Sequence, residues 1–241
     1  MHQLKTPQNA NLILKTSPLV RASHQTFSYI AEHGEVGLTK SKAFNRKFLH
    51  WAAEVFEWPG QTREDLFYLN KVLNEHDFPA AGIIHEFLLH LKLGRHYKDG
   101  FRVTAAGKKI GSDPVALFEA LVPTYLFEID HNYGYQSAEH PFGNWDVFLN
   151  VMNVELQIPK TGKEISEVFF GPTAHTPHQF NEGFWGFYVH VLRPLCWAGL
   201  LQEADPGRLL HTEEHVFAKT ALWPAALTLE TDRDLRPVVL N

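Results

Sequence analysis

The sequence predicts a mainly α-helical protein with small β-hairpins, built as two similar units packed together. The main observation is a pattern that occurs at residues 83–110 and again at residues 189–223. In each copy an apolar segment ends at a glycine, an alternating segment with a turn follows, and a threonine precedes the next helical segment. The 241 residues are 44% hydrophobic and 13% aromatic, which is enough for a well-filled core.

Helical periodicity dominates the first half of the chain. Phe44, Phe48 and Val55 belong to a series of apolar residues that recur every three or four positions, as on one face of a helix. Gly94 is expected to end the apolar segment before it, and Asp99-Gly100 indicates a two-residue hairpin turn. The expected elements are helices at 23–33, 42–56, 64–75, 79–93 and 114–129, an extended segment at 36–39, a hairpin around Asp99-Gly100 and a short helix opened by Thr104.

Capping residues mark the helices of the second half. Asn144 and Thr161 have side chains that accept hydrogen bonds from the first turn of a helix, and Gly199 is expected to end an apolar helix. Asp205-Pro206-Gly207 indicates the turn of a second hairpin, and Thr212 is expected to open the helix after it. The expected elements are helices at 145–156, 163–170, 184–198 and 213–223, separated by loops at 131–143 and 171–183.

Composition places the boundaries of the two units. Residues 1–20 are polar without helical periodicity and are expected to form an N-terminal arm, whereas residues 228–241 are expected to form a polar C-terminal tail. The loop at 131–143 contains Gly and Pro and is the strongest boundary signal. The sequence therefore predicts a first unit at 21–135 and a second unit at 136–227.

The segment after the first hairpin resembles the C-terminal half of winged-helix domains, in which the hairpin is called the wing. Val103-Thr104-Ala105-Ala106-Gly107 matches the Leu-Thr-x-x-Gly pattern that commonly follows the wing, with valine in place of leucine. In the second copy, residues 211–215 keep the threonine and lack the glycine. The resemblance implies two tandem winged-helix-like units, and this fold hosts both DNA-binding and protein-binding proteins.

A narrower resemblance is to a group of uncharacterised bacterial proteins. It rests on residues 37–48, 50–53, 70–75 and 143–150 and covers most of residues 35–215. The resemblance implies a shared fold and a bacterial or phage origin, and it implies no activity.

Charge is divided unequally between the halves of the chain. Residues 1–120 contain 15 Lys and Arg and 12 Asp and Glu, a net charge of +3, whereas residues 121–241 contain 7 and 15, a net charge of −8. Because nucleic-acid binding depends on local positive charge, the first half is the better candidate for phosphate contacts. The alternative is an ordinary solvated basic surface. The predicted nucleic-acid-binding residues are Lys42, Arg46, Lys47, Arg95, Lys98 and Arg102.

The helix at 79–93 precedes the first hairpin, which is the position of the recognition helix in winged-helix domains. Its composition does not favour base-specific recognition. Its polar face is expected to present His85, Glu86, His90 and Lys92, and it is poor in the Arg, Asn and Gln that read bases. The sequence therefore predicts a non-enzymatic regulatory protein that binds duplex DNA. The acidic second half favours the alternative of a protein-interaction module, such as an accessory or inhibitory subunit of a bacterial or phage complex.

A metal- or histidine-dependent enzyme is a second alternative, because the chain contains 15 histidines. His85, His90 and His96 lie in one stretch and His175 and His178 in one loop, but a zinc site needs three or four converging ligands. Scattered surface and hydrogen-bonded histidines are favoured instead.

Acid–base catalysis is also considered for Glu128, Asp130 and His131, which lie at a predicted helix end. The helix dipole favours a histidine at this position without any function. Cys196 lies in the most apolar segment and is expected to be buried rather than nucleophilic. No catalytic residue, cofactor or metal ligand is therefore predicted.

Nothing in the sequence predicts a membrane segment or export. No stretch approaches the ~20 apolar residues that span a bilayer, and residues 1–19 lack the apolar run of a signal peptide. A single cysteine excludes an internal disulfide, which fits a reducing compartment. The sequence therefore predicts a cytoplasmic protein and leaves its oligomeric state open.

Overall fold

The computed structural model describes residues 1–131, 141, 143–172, 182–204 and 209–235. Most of these residues are helical and the strands are short and antiparallel, which confirms the predicted mainly α fold with small β-hairpins. The chain divides into two compact units. We call Gln8–Val122 the N-terminal unit, and Met1–Pro7 together with Pro123–Asn241 the C-terminal unit. The predicted boundary between residues 135 and 136 lies outside the described residues.

The elements up to residue 127 include all the predicted helices and the first hairpin with shifted ends, and they add β1, α1 and a 3-10 helix that were not predicted. They are β1 (His2–Leu4), α1 (Ala10–Thr16), α2 (Pro18–His33), β2 (Val36–Gly37), α3 (Arg46–Val55), α4 (Arg63–Leu69), a 3-10 helix (Glu75–Asp77), α5 (Pro79–His90), β3 (Gly94–Tyr97), β4 (Gly100–Val103), α6 (Ala105–Ile110) and α7 (Pro114–Phe127).

The remaining described elements form the rest of the C-terminal unit. They are α8 (Trp145–Glu155), β5 (Lys160–Thr161), α9 (Gly162–Phe170), α10 (Glu182–Phe187), a π-helical turn (Tyr188–Leu192), α11 (Arg193–Ala198), β6 (Leu201–Ala204), a 3-10 helix (Leu209–Glu214), β7 (Val216–Lys219), α12 (Leu222–Ala226), β8 (Leu227–Leu229) and a 3-10 helix (Glu230–Asp234).

The repeat found in the sequence corresponds to a repeated topology. Each unit contains a three-stranded sheet in which the last strand lies between the other two, in the orders β2-β4-β3 and β5-β7-β6. The register is also shared, since Val36 pairs with Phe101 and Lys160 pairs with Phe217. Phe101 and Phe217 are both fully buried and anchor the middle strand to the core of their own unit. The first predicted hairpin is therefore confirmed, and the two three-stranded sheets are corresponding elements of the two units.

The structure corrects the sequence alignment of the two copies. Thr104 follows the middle strand β4, and the residue that follows the middle strand β7 is Thr220 rather than Thr212. Thr212 lies in the 3-10 helix Leu209–Glu214, so the expected helix at 213–223 is wrong. The second hairpin is longer than the sequence pattern indicated because its return strand begins only at Val216. The predicted turn at 205–207 lies outside the described residues.

The end of α5 also differs from the prediction. Gly94 does not end the helix but begins β3, and the helix ends at His90, with Lys92 in the left-handed conformation at φ 56°. A Cβ on Gly94 would lie 2.0 Å from a ring carbon of Phe101, so the glycine is needed for close packing. Gly199, at φ 87°, ends α11 as predicted.

The segments expected to be an arm and a tail contain regular structure. β1 pairs with β8, with His2 opposite Leu229, and residues 8–20 contribute α1 and the start of α2. The side chain of Asn9 accepts a hydrogen bond from Leu12 N, and Ser17 caps α2 in the same way. These caps explain why a polar segment is helical. Residues 236–241 of the expected tail lie outside the described residues.

Aromatic side chains fill the interior of each unit, as the sequence predicted. Fully buried rings of the N-terminal unit include Phe44, Phe48, Phe56, Trp58, Phe78, Phe101 and Phe118, and those of the C-terminal unit include Phe187 and Phe217. Within the ranges described above, no helix combines the length and apolar character needed to cross a bilayer.

Candidate nucleic-acid interface

The hairpin of the N-terminal unit carries three of the six predicted phosphate-binding residues. We call residues 94–103, which comprise β3, its turn and β4, the wing. Tyr97 pairs with Gly100, so the turn consists of Lys98 and Asp99, one residue earlier than the sequence indicated. Lys98 has a φ of 53°, a left-handed conformation that is common in tight hairpin turns. The side chains of the wing turn are exposed to solvent.

Three cations of the wing surround one aromatic ring. The distances from the centre of the Tyr97 ring are 4.5 Å to Cζ of Arg102, 5.6 Å to Nζ of Lys98 and 5.9 Å to Cζ of Arg95. Cation–π attraction at these distances holds long side chains close together despite their like charges. Tyr97 itself is 42% exposed. The wing therefore presents a compact positive surface with an aromatic centre.

Lys42 reaches the wing from a different part of the chain. Its Nζ donates a hydrogen bond to the carbonyl oxygen of Lys98 at 2.6 Å and lies 3.6 Å from a carboxylate oxygen of Asp99. The prediction that Lys42 begins a helix is wrong, because its φ is 66° and Asn45 is the residue that caps α3. The turn that contains Lys42 places its ammonium group beside the wing.

One contact reduces the charge of this surface. Nε of Arg102 donates to a carboxylate oxygen of Glu35 at 2.6 Å, and the pair is partly exposed. A surface pair of this kind contributes little to stability. It leaves Arg95 and Lys98 as the wing cations without a carboxylate partner in the part of the chain that the structure describes.

Arg46 and Lys47 lie on the first turn of α3. The guanidinium of Arg46 donates to Oδ1 of Asn74 at 3.1 and 3.3 Å, and Lys47 is exposed. Among the described residues, no hydrogen bond or ion pair links either side chain to the wing. The structure thus gathers four of the six predicted residues and leaves these two on a separate element.

Helix α5 exposes few groups that could read bases. Its exposed residues include Glu86 and His90, and its buried residues are Ala80, Ala81, Ile84, His85, Phe87 and Leu88. The expectation that His85 lies on the exposed face is wrong, since only 4% of this residue is exposed. The face therefore lacks the Arg, Asn and Gln side chains that pair with base edges.

His85 belongs to a chain of three polar side chains beneath the wing. Its Nδ1 lies 2.8 Å from a carboxylate oxygen of Glu75, and its Nε2 lies 2.8 Å from Nε2 of His96 on β3. The same carboxylate oxygen of Glu75 accepts a hydrogen bond from Phe44 N at 2.6 Å. Sequence reasoning missed this cluster because its members lie on three elements with no helical spacing between them.

The corresponding hairpin of the C-terminal unit has a different chemistry. Gly94 and Leu201 hold equivalent register positions, which makes Glu203 the counterpart of His96. The side chain of Glu203 is only 6% exposed and contacts Nδ1 of His215 at 2.7 Å and the Tyr188 hydroxyl at 3.2 Å. Burial raises the pKa of Glu203, and both hydrogen bonds lower it.

This second hairpin also lacks an exposed cationic cluster in its described strands. The one cation of β6 and β7 is Lys219, and its Nζ donates to the carbonyl oxygen of Asn153 at 2.8 Å. Only the hairpin of the N-terminal unit therefore combines several cations with an exposed aromatic ring, within the described ranges.

The other candidates from the sequence find less support. Among described residues, no three His, Cys, Asp or Glu side chains are arranged to hold a metal ion, and His175 and His178 lie outside that part of the chain. Burial, followed by the nearby charge of Arg193, lowers the pKa of His131 to about 4. Cys196 is buried as predicted, and burial raises the pKa of its thiol.

Two family models match most of the chain. The model of the Y4jL N-terminal domain matches residues 15–116, and the model of the y4jL C-terminal domain matches residues 135–221. The chain is thus similar to both domains of the Y4jL family. The Y4jL N-terminal match lies within the N-terminal unit and includes the wing and Lys42.

A relative of this chain is the uncharacterized protein y4jL of Sinorhizobium fredii (strain NBRC 101917 / NGR234). The two are 41% identical over 143 residues, which are 58% of this chain and 64% of that protein. This chain therefore covers less than two thirds of the relative's length. The family matches and this relative confirm the predicted resemblance to a group of uncharacterised bacterial proteins. No solved structure matches the chain.

Proposed function

We propose that this protein is a non-enzymatic regulator that binds duplex DNA through its phosphate backbone. The observation that carries the proposal is the cluster of Arg95, Lys98 and Arg102 around Tyr97, extended by Lys42. Cations that are already held together lose less conformational freedom when they contact phosphates than separate side chains do. The wing is the contact surface in this proposal.

The order of elements supports a winged-helix interpretation of the N-terminal unit. A helix, α5, directly precedes the hairpin β3–β4, and the third strand β2 completes the sheet beside β4. In winged-helix proteins, the helix before the hairpin enters the major groove and the hairpin contacts the backbone. With few base-reading groups on α5, binding is expected to depend on backbone contacts and weakly on sequence.

Salt dependence gives the sharpest test of backbone contact. Binding of a labelled random-sequence duplex is measured by fluorescence anisotropy over a salt series. The logarithm of affinity should fall linearly with the logarithm of salt concentration, by about 0.9 for each phosphate contacted. Absence of binding even at low salt would remove the proposal.

Matched charge variants locate the surface. Arg95→Gln with Lys98→Gln removes two wing cations, and the salt slope should decrease by about 1.8. Lys15→Gln with Lys71→Gln removes two exposed cations of the same unit outside the wing and is the control. Equal loss of affinity in both double variants would mean that general charge, and not the wing, governs binding.

Protein binding by the C-terminal unit is the second candidate function. It is supported by the acidic second half of the chain and by Val147 and Val154, which are 44% and 43% exposed and lie seven residues apart on α8. Exposed apolar side chains on one helix face are typical of a contact surface. A complex of this chain with another protein that survives high salt and is lost in the double variant Val147→Asn with Val154→Asn would support this function. If the double variant still forms the complex, this function is refuted.

A further inference from the structure

A chain of hydrogen bonds connects the wing to the helix beneath it. Glu75 follows α4, His85 lies on α5 and His96 lies on β3, and both contacts of the chain measure 2.8 Å. The His85–His96 contact is a direct side-chain hydrogen bond between α5 and the wing. We call this contact the histidine tether.

The surroundings of the histidine tether fix the position of its inner ring. The His85 ring stacks on Phe44 with centres 4.0 Å apart and meets the edge of Phe101 at 5.2 Å. Only 5% of the His85 side chain is exposed, whereas His96 lies at the surface. His96 therefore has solvent access, and His85 has almost none.

Hydrogen placement makes the tether sensitive to protonation. Glu75 accepts from Nδ1 of His85, so the bond between the two Nε2 atoms requires that one of them has no hydrogen. A hydrogen on Nε2 of His85 alone keeps the bond, because that atom then donates to the bare Nε2 of a neutral His96. When both rings are protonated, both Nε2 atoms carry a hydrogen and neither can accept. The hydrogen bond is then lost, and two positively charged rings face each other.

The charged groups that face His96 have opposing effects on its pKa, and the net effect lowers it. Burial, His85 and Lys42 lower the pKa of His96, and the carboxylate of Glu75 raises it. Because the folded protein favours neutral His96, the tether is complete above the ordinary histidine pKa of about 6.5. It is lost as the pH falls through the lower pKa of His96 in the folded state.

We propose that the histidine tether is a pH-dependent switch that holds the wing against α5 while His96 is neutral and releases it when both rings are protonated. The consequence for DNA rests on the proposed function: a released wing no longer presents its cations in one arrangement, and affinity falls in acid. Without the tether, the lower pH would strengthen binding by adding positive charge.

Hydrogen exchange of the wing tests the switch without any DNA. Protection factors of backbone amides in residues 94–103, corrected for the intrinsic effect of pH, are measured from about pH 7.5 to about pH 5. The wild type should lose several-fold in protection as His96 is protonated and the tether opens. H96Q keeps a neutral donor facing His85 and should lose much less. His90→Gln removes an exposed histidine of α5 and should behave as the wild type does.

Equal acid sensitivity of the wing in the wild type and H96Q would overturn the switch. Imidazole NMR of the wild type adds a second measurement, because protonation of His96 should coincide with the loss of wing protection. DNA affinity at constant salt should fall in acid for the wild type relative to H96Q. If the wing opens only in the wild type and no DNA binds at any pH, the switch stands and the proposed function fails.

Discussion

Thr104 and Thr220 hold the same position in the two units, and each ties the end of a strand to the end of a helix. The Thr104 hydroxyl donates to the carbonyl oxygen of Lys92 at 2.8 Å, and the Thr220 hydroxyl donates to that of Gly199 at 2.6 Å. Lys92 and Gly199 are the left-handed residues after α5 and α11. This shared contact is stronger evidence of repetition than the sequence, because it repeats both the backbone path and its partner.

Removal of one hydroxyl should destabilise its unit. Thr220→Val keeps the branched shape but leaves the carbonyl of Gly199 and the amide of Leu222 without their partner. We expect the free energy of unfolding in urea to fall by about 1–3 kcal/mol. Thr228→Val, at an exposed position of β8, is the control. An equal effect of both substitutions would contradict a specific role of Thr220.

Substitutions at the left-handed residues Lys92 and Gly199 should change the free energy of unfolding in opposite directions. Lys92→Gly should stabilise the N-terminal unit by about 0.5–1 kcal/mol, because relief of left-handed strain exceeds the added freedom of the unfolded chain. Gly199→Ala should destabilise the C-terminal unit by about 1–2 kcal/mol for the same reason. Calorimetric unfolding of each variant measures both changes. A destabilising Lys92→Gly would show that the lysine side chain contributes more than its backbone costs.

Acid should weaken the C-terminal unit through His131. The pKa of His131 is lowered to about 4, so its neutral form is favoured in the folded state. Its contribution is complete above the ordinary histidine pKa of about 6.5 and is lost as the pH falls through about 4, up to about 3 kcal/mol. Urea unfolding at several pH values should show a smaller acid loss in His131→Gln. His76→Gln, at an exposed position, should unfold with the acid dependence of the wild type.

Cys196 reports unfolding of the C-terminal unit. Burial raises the pKa of its thiol, and a buried neutral thiol is a poor nucleophile. We expect almost no reaction with a thiol reagent in native buffer and about one equivalent in urea. Rapid modification of the folded protein would show that the helix α11 opens easily or that the thiol is activated.

Local signals in the sequence were sufficient for most of the helices. Asn144 and Thr161 cap α8 and α9 as predicted, and α7 begins at Pro114. These features depend on neighbouring residues alone, so spacing and capping chemistry reveal them. The same signals located the wing to within one residue, because a hairpin turn also depends on adjacent residues.

Long-range relationships could not be read from the sequence. The bond between His85 and His96 depends on how β3 packs on α5, and neither residue has a spacing that indicates the other. The longer second hairpin placed Thr220 where the sequence suggested Thr212, since a repeat with low identity gives no register for a loop of unknown length. Of the candidate site, the cations were predictable as a group, but Tyr97 as their common centre was not.

The pairing of β1 with β8 constrains the order in which the chain can fold during synthesis. Gln8–Val122 emerges as a complete unit before most of the C-terminal unit has been translated. His2–Leu4 must wait for Leu227–Leu229 before its hydrogen bonds can form. The N-terminal unit is therefore an insertion in the sequence of the C-terminal unit, and β1 stays unpaired until β8 has been synthesised.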